Sequence, residues 1–311
     1  MVAAPADDSQ VPAFWRALGL PGLVDAHVHF LPESMERKVW AWFDAIVDDR
    51  GAPAWPIRYR EAAGARVDLL HSLGVVAFPG LVYPHKPGMA EWLNGWARDF
   101  AAATPGCIPS ATFYPEPDAD RYVAEALEAG ARIFKVHLEV GGYDPRDRTL
   151  APVWRRLAAA AVPVVAHCGS GPFPGPYTGP ATFGDVLAAH PDLVAVIAHM
   201  GTTEYAEFLA LALRHPNVHL DTTMAFTDFM EARAPYPPDL LPVLADHPGR
   251  VLFGSDFPTI PHPYAHQLAA LVGLGLGDDW LRAVCWHNGA RLLGVPGEAS
   301  DGRPEAHPKP G

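Results

Sequence analysis

The chain is predicted to fold as a single-domain (β/α)8 TIM barrel of the α/β class, on three observations. Short apolar runs alternate with helical patterns over residues 22–295. Eight of those runs read as strands. No glycine-rich dinucleotide fingerprint follows the first of them, which removes the main argument for a Rossmann fold. Strands separated by single helical segments pair in parallel through right-handed crossovers. Eight such units over ~270 residues match a closed barrel better than an open doubly wound sheet.

The strand candidates are, in order, residues 23–28, 75–82, 108–113, 131–138, 162–166, 193–198, 218–222 and 250–254, each rich in Val, Ile, Leu, Ala or Phe. Helical patterns fill the intervals at 35–43, 59–72, 89–103, 119–129, 151–161, 181–189, 204–214 and 239–245, and two more follow the eighth strand at 266–274 and 278–293. The segment 31–65 is long for a first connection. It holds Trp40, Trp42, Phe43 and Trp55 and reads either as a lid or as the contact of a homodimer. Residues 1–21 are expected to form an N-terminal extension, 22–295 the catalytic barrel, and the polar stretch 296–311 a flexible tail.

Composition narrows the class. Of 311 residues 49% are hydrophobic and 19% charged, which suits a sizeable core. The net charge of −12 and the lack of a basic stripe argue against nucleic acid and against an anionic membrane surface. No apolar stretch approaches membrane-spanning length. The three cysteines, Cys107, Cys168 and Cys285, are far apart and form neither a disulfide framework nor a zinc ribbon. The acidic first ten residues lack the pattern of a signal peptide, so a cytoplasmic location is expected. The 34 prolines and 28 glycines gather after strands, at residues 79–87, 169–180 and 258–263. In a barrel those are the C-terminal-face loops, where active sites are built around a small-molecule substrate.

The fifteen histidines fall at informative places. The first strand reads Leu23-Val24-Asp25-Ala26-His27-Val28-His29-Phe30. Side chains alternate across a strand, so Asp25, His27 and His29 share a face opposite Val24, Ala26 and Val28. The outward face of a barrel meets helices and wants apolar residues, which turns the two histidines inward at the strand's C-terminal end. Their Cβ atoms are then about 6–7 Å apart, a spacing from which two imidazoles converge on one cation. Taken alone, such a pair is as readily a chance occurrence in a histidine-rich chain. The fifth, sixth and eighth strands also end on a single chemically active residue before a Gly- or Pro-bearing loop: His167, His199 and Asp256. One such ending is explained by capping; three joining His27 and His29 on one rim are not, because unpaired polar groups at a barrel mouth add nothing to the core.

That ordered set, with Gly254-Ser-Asp256-Phe-Pro after the eighth strand and Asn288-Gly-Ala-Arg291-Leu-Leu-Gly294 near the end, resembles the amidohydrolase superfamily. The likeness is to the amidohydrolase-2 branch typified by aminocarboxymuconate-semialdehyde decarboxylase. It runs over residues 22–295 and is specific for the superfamily but weak for substrate. It implies that His27, His29, His167 and Asp256 hold one divalent metal, usually Zn2+, with Mn2+, Fe2+ or Co2+ compatible with the same donors. It also implies that His199 is a general acid/base rather than a ligand. The chemistry of the residue types agrees: such a cation lowers the pKa of water to about 7, Asp256 can both ligate and accept a proton, and a histidine exchanges protons near neutrality.

In the fourth strand, alternation turns Lys135, His137 and Glu139 inward. Two-metal members of the superfamily carboxylate a lysine here as a bridge, which would assign His167 and His199 to a second metal. The plainer reading makes Lys135 and His137 substrate-binding or pore-filling groups. Phe173 and Tyr177, in the loop after His167, are candidates for the substrate pocket, with loop packing as the alternative. Asp221, Thr222 and Thr223 end the seventh strand and either orient a ligand histidine or cap the next helix. Arg58 and Arg60 are expected to be solvated, Asn288 structural and Cys168 buried.

The leading function on these grounds is hydrolysis of a small-molecule C–N or C–O bond by a metal-activated water. Metal-dependent, non-oxidative decarboxylation of a small unsaturated or aromatic acid uses the same residues and is the runner-up. A catalytically inactive binding barrel predicts a broken ligand set, whereas all five rim positions are filled.

Overall fold

A computed structural model describes residues 1–51 and 53–296. The expected tail at 296–311 lies, but for its first residue, outside them. All eight strand regions are present as short parallel segments: β1 (Leu23–Val24), β2 (Val75–Pro79), β3 (Cys107–Ile108) with β4 (Ser110–Thr112), β5 (Ile133–His137), β6 (Val164–His167), β7 (Ala195–Ile197), β8 (Val218–Asp221) and β9 (Val251–Leu252). β6, up to His167, and β7 run continuously apolar and buried, as strands between a packed interior and a helical ring do. β3 and β4 are two halves of one barrel strand. Pro109 stands between them, has no N–H for the ladder, and still accepts from Arg132 N at 2.8 Å.

The ladders run β1–β2–β3 and β4 through β9 in order. Closure is carried by individual backbone bonds. Ala26 N donates to Phe253 O at 2.9 Å, Asp256 N to His27 O at 2.9 Å, and His29 N to Phe257 O at 2.8 Å. The regular part of β1 ends at Val24, where the register shifts, so the stretch carrying His27 and His29 bridges β2 and β9 without a continuous ladder.

Helices α1 (Val11–Ala17), α2 (Glu33–Asp44), α3 (Ala63–Leu73), α4 (Ala90–Ala103), α5 (Ala119–Glu128), α6 (Leu138–Gly141), α7 (Ala151–Ala160), α8 (Pro180–Ala189), α9 (Tyr205–Arg214), α10 (Asp228–Glu231), α11 (Leu241–Asp246), α12 (Tyr264–Gly273), α13 (Asp278–Arg282) and α14 (Asn288–Leu293) follow in chain order. The helix expected at 59–72 starts only at Ala63, since Tyr59 is buried in extended chain and donates its hydroxyl to Asp8. The one expected at 278–293 is divided by a π turn at Ala283–His287. Residues 1–21 are packed onto the barrel: Val11, Phe14 and Leu18 join the core, and Trp15 donates to Leu73 O at 3.0 Å. A side chain at Gly74 would meet the Trp15 ring at 2.3 Å, so glycine there permits the docking. Among the described residues no helix is long and apolar enough to cross a membrane.

The segment between β1 and α3 folds over the C-terminal face, with α2 as its main element. Its anchor is an ion pair between Glu36 and Arg66 at 2.7 Å, almost wholly buried, with the guanidinium over the Phe30 and Trp40 rings at 5.3 Å each.

Candidate active site

The chain past β1 brings His27 and His29 to the barrel mouth, and each ring is fixed by what its Nδ1 touches. His27 Nδ1 donates to Asp221 Oδ2 at 2.8 Å; His29 Nδ1 donates to the Leu81 carbonyl at 3.0 Å. Both partners accept only, so in each ring the proton lies on Nδ1 and the lone pair on Nε2. The two Nε2 atoms stand 3.1 Å apart. Asp256 Oδ1 lies 3.2 Å from His29 Nε2 and 3.7 Å from His27 Nε2. Among the described residues this is the one group of three or more His, Cys, Asp or Glu side chains with converging ligand atoms. Donors at about 2.0–2.2 Å from a shared cation stand roughly 3–3.6 Å from one another, so the triad fits a divalent metal. Two facing lone pairs at this distance also repel unless a positive charge lies between them. Lys135 Nζ, 3.0 Å from His27 Nε2, supplies some of that charge.

Asp221 is the organiser beneath. Wholly buried at the end of β8, its other oxygen accepts from His199 N at 2.9 Å, from Thr223 N at 3.2 Å and from the Thr223 hydroxyl. His199 and Met200 have φ of 57° and 54°, and Asp256 has 66°. Left-handed conformations in non-glycine residues are uncommon and mark backbone whose surroundings impose them. A β-carbon at Gly254 would stand 2.9 Å from His27 Cβ and 2.6 Å from Thr223 Oγ1, so glycine lets β9 close against the histidine. Asp25, also wholly buried, ties the strands together, accepting from His27 N, Ser255 N and the Tyr264 hydroxyl; burial pushes its carboxyl up to about 7 against those bonds.

Burial, reinforced by the Lys135 charge and opposed by Asp221 and Asp256, pushes His27 down to about 3. The ring is therefore neutral and metal-ready at neutral pH. Lys135 is pushed down to about 8 by burial, against the pull of Asp221 and Asp256. Burial would raise Asp256, but the adjacent His29, His199 and His27 imidazoles outweigh it and hold the carboxyl well below the usual range. Asp221 behaves alike, through the adjacent His27 imidazole and the hydrogen bond it donates. His199 is lowered by burial, which Asp256 and Asp221 oppose. Its Nδ1 donates to the Thr223 carbonyl at 3.2 Å, leaving Nε2 as the lone-pair atom.

The other expected site residues divide. His167 lies at the end of β6, stacked on His137 at 3.8 Å and edge-on to His199 at 4.6 Å. It does not join the three-atom group, because its Nε2 donates to the Gly171 carbonyl at 2.9 Å. Lys135, His137 and Phe173 line the cavity above the triad; Tyr177 is half-buried in the same loop but is not part of that lining. Cys168 is buried, Arg60 pairs with exposed Asp44, and Asn288 donates to the Pro248 and Val251 carbonyls as a structural tie.

Tyr83 was not singled out from sequence, yet it lines the cavity edge-on to His29 at 5.4 Å. Its signal was available, since it directly follows the second strand run. Trp42, Phe43 and Trp55 of the long first connection also line the cavity, whose volume is about 450 Å³.

The family model described as "Amidohydrolase" matches residues 24–295. No curated protein sequence matches the chain. Among solved structures, an uncharacterized TIM-barrel protein from Bordetella bronchiseptica superimposes with a TM-score of 0.68 at 19% identity, covering 88% of this chain and 98% of that one. Dihydroorotase from Campylobacter jejuni gives 0.55 at 14% identity, with 89% and 84% covered. L-Hydantoinase from Arthrobacter aurescens gives 0.59 at 13% identity, with 89% and 72% covered. At such identities the structural likenesses speak for the fold.

Proposed function

The chain belongs to the amidohydrolase family, whose members are metal-dependent hydrolase-type enzymes, and on that premise we propose that it hydrolyses a C–N or C–O bond of a small molecule. The observation that carries this reading is the convergence of His27 Nε2, His29 Nε2 and Asp256 Oδ1 at the floor of a cavity large enough for a small substrate. The three side chains would hold one divalent cation, Zn2+ being the choice that best suits two imidazoles and a carboxylate. His167 would join this set only with its Nε2 deprotonated and released from the Gly171 carbonyl.

When bound, the cation supplies positive charge that makes water acidic near neutral pH and polarises a substrate carbonyl. Asp256, held ionised by its histidine neighbours, takes the proton of the attacking water at its carboxylate. His199, mostly neutral because burial lowers its pKa, relays a proton at Nε2 toward the departing nitrogen or oxygen. Asp221 keeps His27 in the ligating tautomer and holds the turn that presents His199. Tyr83 and the aromatic residues of the first connection exclude bulk water from the floor.

The test is to load purified protein with Zn2+ and assay amides, lactones and esters, with hydroxybenzoates alongside for carbon dioxide release. Hydrolysis with about one metal per chain supports the reading. Carbon dioxide without hydrolysis products overturns it in favour of decarboxylation.

A further inference from the structure

The cavity has two chemically different halves. Its floor is polar: His29, Lys135, His137, His167, His199 and Asp256. Its outer wall is aromatic and comes from two unconnected segments. Trp42 and Phe43 belong to α2, while Phe173 belongs to the loop after β6. Trp42 and Phe173 meet edge to face across the opening at 5.7 Å, yet remain 51% and 40% exposed. Phe43 continues the run, 4.9 Å from Trp42 and 5.4 Å from Trp55. Leaving two large rings in water at a cavity mouth is unfavourable unless something covers them, and clustered exposed apolar surface marks a binding site. Met35, Met224 and Met230 add flexible thioethers that adapt to a ring face, and Lys38, His85 and Glu139 also line the cavity.

Resting on the hydrolase reading above, we propose that the substrate carries a flat aryl group. The group seats against Trp42, Phe43 and Phe173, with its scissile ester, lactone or amide carbon toward His29 and Asp256. Rings prefer edge-to-face and offset contacts of the kind this wall already makes with itself, and a planar guest extends that run. An aliphatic chain gains only the area it buries.

The experiment compares two esters with leaving alcohols of similar basicity, 2-naphthylmethyl acetate and ethyl acetate, on the Zn2+-loaded protein. It is paired with calorimetric titration of 2-naphthylmethanol, which needs no turnover. The naphthylmethyl ester is expected to have at least a 100-fold higher kcat/KM. Trp42→Ala and Phe173→Ala should each lower its kcat/KM and weaken naphthylmethanol binding by about tenfold. Trp42→Phe should restore most of both, and Trp92→Ala, an equally exposed tryptophan outside the cavity, should change neither. Equal kcat/KM for the two esters, or binding indifferent to Trp42 and Phe173, overturns the aryl site while leaving the hydrolase reading intact. Naphthylmethanol binding that depends on Trp42, with neither ester cleaved by metal-loaded protein, supports the aryl site and overturns the hydrolase reading.

Discussion

Asp221 and His27 form a wholly buried carboxylate–imidazole pair, Oδ2 to Nδ1 at 2.8 Å, in which the acid decides which nitrogen of the histidine is available. Replacing the acid by an amide offers that nitrogen a donor as readily as an acceptor. Asp221→Asn is expected to weaken metal binding by about 10–100-fold. Competition with a chromogenic chelator measures this directly, and unchanged affinity would remove Asp221 from the metal's support.

The ligand group makes a graded forecast. His29→Ala removes one of three converging donors and should yield protein without bound metal after desalting. His167→Ala should retain metal with weaker affinity, because His167 stands outside the group until it leaves Gly171. Elemental analysis of both variants decides; metal loss of equal extent would make His167 a full ligand from the outset. Exhaustive chelation of the unaltered protein should abolish activity and lower Tm, and Zn2+ should restore both.

His199→Asn should retain metal while kcat falls by about 10²–10⁴-fold, the usual contribution of a positioned proton-transfer group. Circular dichroism and metal content separate this from misfolding. Loss confined to KM would instead make His199 a binding residue.

The pair anchoring α2 predicts a stability effect. Glu36→Ala leaves the Arg66 guanidinium, 1% exposed, without its carboxylate. An uncompensated buried charge of this kind costs about 3–5 kcal/mol. Chemical denaturation should show a loss of that size, and Glu36→Ala/Arg66→Met should recover part of it.

A pH effect follows from His219, on β8 and away from the ligands. Burial, with help from the Arg250 charge, pushes it down to about 4. A histidine titrates near 6.5 once unfolded, so between about pH 6.5 and 4 the unfolded chain binds the extra proton and stability falls as pH falls. The contribution is fully present above that window. His219→Gln removes the titration, and its Tm drop between pH 7 and 4.5 should be smaller than that of the parent by roughly 5 °C.

Much of the barrel was legible in the sequence because strands buried on both faces must be apolar throughout, and runs such as Val164-Val165-Ala166 announce themselves. Alternation also assigned His27 and His29 to one face, and their Nε2 atoms do meet. What pattern reading could not reach is set by contacts between distant segments. The withdrawal of His167 depends on a carbonyl four residues on, in a loop whose path no periodicity encodes. Tyr177 lies outside the lining that Phe173 joins for the same reason. The dual role of Asp221 requires knowing that β8 passes beside the end of β1. The long first connection was ambiguous between lid and homodimer contact; α2 lies over the mouth and contributes Trp42 and Phe43 to the cavity wall.

The bonds that close the barrel join Asp256 N to His27 O and His29 N to Phe257 O, so the seam between first and last strands runs through the candidate metal ligands themselves. A ribosome must therefore finish almost the whole domain before a three-donor site exists. Until Asp256 emerges, the nascent chain lacks the third donor of the His27–His29–Asp256 group, so a metal held by all three could load only after the final strand docks.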